Sequence, residues 1–164
     1  MKRNPRYVWW KAQQLTWACI VGLMLGAGAT LAQQPELPIL RLNAGIYVIQ
    51  AEVAGTPQTR QIGLMQRKSM PIGAGMLFLF DESAAHCMWM KNTLIPLSVA
   101  FIDERGHIVN IADMQPLDET SHCASQPARF ALEMNQGWFK KRGIAAGALI
   151  QGLERLYTPA RSQK

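Results

Sequence analysis

Two histidine–cysteine pairs, His86-Cys87 and His122-Cys123, are the densest concentration of reactive side-chain types in this sequence. Two thiols could join as a disulfide. It would close a loop of about 36 residues and stabilise a small domain by roughly 3–4 kcal/mol in the chain-entropy account. The same four residues offer zinc or copper ligands, but their spacing is not that of the usual zinc motifs. Neighbouring positions on a strand also project to opposite faces, so His86 and Cys87 do not suit one ion. A Cys87–Cys123 disulfide is therefore the favoured reading, and no metal is favoured. The surviving metal alternative uses strand alternation. His86, Met88 and Met90 would share a face and present a soft donor set suited to Cu(I). Against it stands the ordinary use of methionine as a filler of core gaps.

A second group of residues suits binding. Lys91-Asn92-Thr93 follows an apolar run, and with Arg60, Arg67 and Glu133 it makes the set of ligand-binding candidates. Lysine and arginine would hold negative charge or donate hydrogen bonds, and Asn92 would orient an anionic or sugar-like ligand. Glu133 lies between Leu132 and Met134; if its face is buried it needs a partner, which Lys91 or Arg60 could supply. The structural reading of the same residues is an ion-pair network that holds the fold. Trp89 alternates with Met88 and Met90 and is expected in the core. Trp138, beside Lys140 and Lys141, is the expected exposed aromatic.

Catalytic signatures are absent: there is no nucleophile elbow, zinc-protease helix, phosphate loop or dinucleotide fingerprint. His122-Cys123 has no evident third group to orient a dyad. Asp103 or Glu133 could serve as an acid–base group, but the sequence sets no two carboxylates together. No catalytic residue and no cofactor is assigned.

The elements that must position these side chains are short. Ile46–Ala54 alternates as a strand, with Tyr47, Ile49, Ala51 and Val53 on one face. Thr56-Pro57 is an N-cap followed by proline, so Pro57–Gln66 is predicted as a short helix. Further strands are predicted at Met76–Phe80, Cys87–Met90, Leu97–Ile102, Ile108–Met114, Phe130–Met134 and Leu149–Leu153. Asp103-Glu104-Arg105-Gly106-His107 is the clearest hairpin turn. Residues 116–127 read as a polar loop, and Gln136–Arg142 as a second short helix stopped by Gly143. The fold class is mainly β: a single-domain β-sandwich or partly closed barrel with two short helices.

The N-terminus reads as an export leader. Lys2, Arg3, Arg6 and Lys11 precede an apolar stretch and then the small residues 27–32, so residues 1–32 are read as a signal peptide cut after Ala32, with Ala29 the second choice. An uncleaved leader anchored in the inner membrane is the alternative, although the apolar core is short of the roughly 20 residues of a spanning helix. Cys19 sits too early in that core for lipid attachment. Residues 33–44 are then a lead-in, 45–155 the domain and 156–164 a flexible tail. Of 17 basic residues, 13 lie beyond the leader with all 11 acids, so the net charge falls from +6 to +2. That charge gives no support to a nucleic-acid partner. The expected compartment is the periplasm, where thiols pair.

Several segments together resemble the "domain of unknown function 192" family. They are Arg60-x-x-Gly63-Leu64-Met65-x-Arg67, Gly75-Met76-Leu77-Phe78-x-Phe80, Trp89-Met90-Lys91-Asn92-Thr93-x-Ile95-Pro96-Leu97 and Phe101-Ile102-Asp103-x-x-Gly106. The resemblance covers about residues 45–153. It implies a compact β-rich domain, often exported, and no established activity. The chain departs from the family at Ser98 and Ala148, where aspartate is common, and at Met88, where phenylalanine is common. The leading expectation is a small, monomeric, non-enzymatic binding or accessory module of the cell envelope, serving an unknown small molecule or envelope component. A soft-metal (copper or zinc) binding protein and an enzyme acting on an envelope carbohydrate are the alternatives.

Overall fold

The computed structural model describes residues 36–156. The leader at 1–32, the first residues of the lead-in and the tail beyond 156 lie outside them. Nine strands are present among the described residues: β1 (Ile39–Ala44), β2 (Tyr47–Ala54), β3 (Ala74–Ala84), β4 (Cys87–Met88), β5 (Leu97–Ile102), β6 (Ile108–Met114), β7 (His122–Cys123), β8 (Ala128–Asn135) and β9 (Ile150–Gln151). Seven form one sheet in the order β6-β5-β8-β3-β2-β1-β9, while β4 and β7 pair separately. The large sheet curls into a half-barrel, within the β class expected.

The centre of the sheet is occupied by β3, and β8, late in sequence, inserts between β3 and β5, antiparallel to both. Strands β2 and β3 are parallel, which requires a crossover, and α1 (Pro57–Ile62) supplies it. Thr56 caps α1: its Oγ1 accepts the Thr59 N–H, and the Thr59 hydroxyl returns the contact to the Thr56 backbone.

Both faces of the sheet are buried. One carries Leu42, Ile49, Leu77, Ile102, Phe130 and Leu132. The other carries Met76, Phe78, Leu97, Val99, Phe101 and Ala131. Alternate residues of a strand thus enter different cores, and all six positions of β5 are buried. The continuous apolar runs of β3, β5 and β8 have this origin.

Four expectations are corrected. The segment 33–44, expected to be a lead-in to the domain, already contains a strand of it: residues 39–44 pair with β2 along their whole length. Leu42 and Ala44 reach the core, which draws the segment into the sheet once Pro38 is passed. The first helix stops at Ile62, because Gly63 turns the chain at φ 49°. The second expected helix is only a 3₁₀ turn, Lys140–Arg142, ended by Gly143 in the left-handed region. Leu149–Leu153 likewise shortens to β9 and a following 3₁₀ turn.

The two tryptophans exchange their expected positions. Trp138 is 3% exposed and Trp89 is 46% exposed. The strand holding Cys87 ends at Met88, so alternation does not carry on to residue 89. Trp138 instead packs edge-on against Tyr47 and Phe139, with the Arg142 guanidinium 4.3 Å from its ring centre.

Candidate functional site

Glu133 is the one buried acid among the described residues, at 3% exposure. On β8 it faces Met76 of β3 on one side and Val99 of β5 on the other, both apolar. Gly75 lets the β3 backbone approach closely here: a Cβ at that position would lie 2.6 Å from the Glu133 carbonyl oxygen. Among the described residues the Glu133 carboxyl has neither a hydrogen bond nor an ion pair. Burial pushes its pKa up to about 8, so the group carries a proton at neutral pH.

The carboxyl lies at the base of a cleft of about 340 Å³. Phe78, Leu64 and Met65 form apolar walls, Thr93 adds a buried hydroxyl, and Trp89 and Lys91 stand at the rim. Gly63 shapes one side, since a Cβ there would meet the Phe78 ring at 3.2 Å. The volume suits a small organic molecule.

The expected partners of Glu133 do not reach it. Arg60 is a strut: it donates to the carbonyls of Gly55 and Leu79 at 3.0 and 2.8 Å and to Asp81 Oδ2 at 2.7 Å. Lys91 places its ammonium 5.1 Å from the centre of the Trp89 ring. Both residues line the cleft with Thr93 and Glu133, so four of the six expected binding residues come together.

Arg67 and Asn92 do not line it. Arg67 forms a two-pronged ion pair with Glu52, Nη2 to Oε2 at 2.6 Å and Nη1 to Oε1, and this contact raises the guanidinium pKa. Asn92 adopts φ 55°, a left-handed conformation that asparagine tolerates. Its carbonyl accepts the Gln66 N–H at 2.9 Å, which ties the Lys91-Asn92-Thr93 turn to the segment after α1. Residues 117–118 clamp the same turn, through Leu117 N–H to Thr93 O and Met90 N–H to Asp118 O.

Cys87 and Cys123 form a disulfide, facing each other in the β4·β7 pair. Cys87 and Met88 also line the cleft, so this small sheet is part of its wall. Asn110 fastens it from β6, donating to Cys123 O and accepting from Ser125 N–H. The His86, Met88 and Met90 donor set is not assembled on one face. Met90 is fully buried, His86 stacks on Phe80 with ring centres 3.7 Å apart, and β4 stops at Met88. No cluster of three or more His, Cys, Asp or Glu able to hold a metal occurs among the described residues.

Glu52 and Phe78 escaped the sequence reading of the site. In the sequence Glu52 is a polar position on the face opposite Tyr47, Ile49, Ala51 and Val53, and Phe78 is part of an apolar run and of the family pattern, with nothing to mark it as a cleft wall. Of the departures from the family, only Met88 touches the cleft. Ser98 lies on the opposite face, where its Oγ donates to Asp113 at 2.5 Å and accepts the Gly137 N–H at 2.8 Å. Ala148 packs against the core on that side.

The chain belongs to the domain of unknown function 192 family, described as an uncharacterized ACR, which matches residues 39–152. Five solved chains match. One, a candidate transcription regulator from Sinorhizobium meliloti 1021, is 32% identical with a TM-score of 0.70, covering 74% of this chain and 98% of its own. Another, a protein of unknown function from Novosphingobium aromaticivorans DSM 12444, is 32% identical with a TM-score of 0.67, covering 70% and 86%. No curated protein matches.

Proposed function

We propose that this is an exported, non-enzymatic binding module of the bacterial cell envelope, and that its small-molecule ligand enters the Glu133 cleft. The observation that carries this reading is the unpartnered, buried carboxyl at the base of the cleft. Burying a polar group without a hydrogen bond costs about 1–3 kcal/mol in proteins. A ligand that pairs with the carboxyl would offset that cost. Export is supported by the leader composition and is consistent with the Cys87–Cys123 disulfide.

A binding role suits the groups better than catalysis. Asp103 is spent on its own hairpin, where Oδ1 accepts the N–H groups of Arg105 and His107 at 2.9 and 2.8 Å. Asp81 is paired with Arg60. Glu133 would have to act as acid and base alone. A nucleic-acid partner gains little from a net charge of +2 beyond the leader.

The test is a small-molecule screen by thermal shift on the protein recovered from the periplasm, repeated on Glu133→Gln and Trp89→Ala. Compounds that stabilise the native chain should lose their effect in both variants. If every active compound acts equally on the variants, the cleft is not the binding site.

A further inference from the structure

We infer that the ligand of the Glu133 cleft is a small organic anion that carries a hydrogen-bonding oxygen at its far end. This rests on the binding reading above and adds the ligand's chemical class. Three titratable side chains line the cleft: Arg60, Lys91 and Glu133. Arg60 is neutralised by Asp81 and held by two backbone carbonyls, so its charge is already answered. Lys91 has no carboxylate among the described residues and shares the rim with Trp89. Glu133 has no cation among the described residues, and its ladder neighbours are apolar. The walls therefore offer one uncompensated positive charge at the mouth and one neutral carboxylic acid at the base. Apolar surface from Phe78, Leu64 and Met65 lies between them.

The complement of that pattern has a carboxylate or phosphate at one end, to meet Lys91. A short apolar or aromatic body follows, to lie against Trp89 and Phe78. An oxygen at the other end accepts the Glu133 O–H. A cationic ligand would meet the Lys91 charge on entry and would require Glu133 to give up its proton to water.

Three probes of one shape separate the possibilities: 4-hydroxybenzoate, 4-hydroxybenzamide and 4-hydroxybenzylammonium. They share a ring and a phenolic oxygen and differ in charge at the other end. Binding is read from the indole N–H resonance of Trp89 during titration at neutral pH. The anion should shift that resonance and bind more tightly than the amide and the cation. Lys91→Ala should weaken the anion about two- to fivefold, as expected of an exposed ion pair, while Lys91→Arg keeps it. Added salt should weaken it as well. Equal or tighter binding of the cation or the amide overturns the anion assignment and leaves the cleft as a binding site. Anion binding unchanged in Lys91→Ala also overturns it. If none of the three moves the resonance, the anion assignment and the binding reading fail together.

Discussion

Glu52 and Glu133 lie on one row of the sheet, each facing Met76 from opposite sides, and they have opposite surroundings. Glu52 is gripped by Arg67 through both carboxylate oxygens. Glu133, one strand beyond Met76, has only apolar neighbours across the ladder. The sheet thus saturates the acid on β2 and leaves the one on β8, on the other side of the central β3, protonated under a cleft.

That difference gives Glu133 a definite pH signature. Burial raises its pKa from an ordinary 4.5 to about 8, so between those values the folded chain binds a proton that the unfolded chain has lost. Stability from this group therefore falls as pH rises through that window, by an amount on the order of a few kcal/mol. Glu133→Gln should remove the slope. The variant should melt at a higher temperature than the native chain at pH 8 and at much the same temperature below the ordinary carboxylate pKa. Parallel melting curves at all pH values would mean that the carboxyl is not held protonated by the fold.

The Arg67–Glu52 pair should be structural. Both side chains are about three-quarters buried, at 24% and 23% exposure. Arg67→Met leaves Glu52 without its guanidinium and should cost about 1–3 kcal/mol of stability, whereas Arg67→Met with Glu52→Gln should recover part of it. Chemical denaturation of the two single variants and the double variant gives the coupling. Additive effects would contradict a direct pair.

Reducing the Cys87–Cys123 bond should cost roughly 3–4 kcal/mol, by the loop-closure argument for residues 36 apart. The β4·β7 pair is short and Cys87 is part of the cleft wall, so reduction should also change the environment of Trp89. Urea unfolding with and without reductant measures the first effect, and tryptophan emission in native buffer the second.

The two tryptophans beyond the leader should be separable by quenching. Acrylamide should reach Trp89 and leave Trp138 largely protected, so Trp89→Phe abolishes most of the quenchable emission. Trp138→Ala should destabilise by about 3–5 kcal/mol, because it empties a packed position under Tyr47 and Phe139.

The β5–β6 hairpin was legible because Asp103 and Gly106 encode its turn chemistry; Asp103 indeed caps the backbone and Gly106 sits at φ 89°. The α1 cap was legible for the same reason, since Thr56-Pro57 is a local signal. Local signals failed where the outcome depends on distant strands. β1 was hidden because its partner had to be known before Leu42 and Ala44 could be seen as core. The apolar pattern misplaces Trp89 because β4 ends at Met88, two residues earlier than that pattern suggests. The grouping of Lys91, Thr93, Arg60 and Glu133 was legible as residue types, but their division of labour was not. Arg60 is spent on Asp81 and Arg67 on Glu52, pairings that arise from the β2–α1–β3 crossover rather than from any spacing in the chain.

The most direct measurement is a ¹³C titration of the Glu133 side-chain carboxyl in the folded protein. A midpoint near 8, shifted when a cleft ligand is added, is the expected result. A midpoint near the ordinary glutamate value would mean that Glu133 is solvated or paired, and would contradict an unpartnered proton-bearing acid at the base of the cleft.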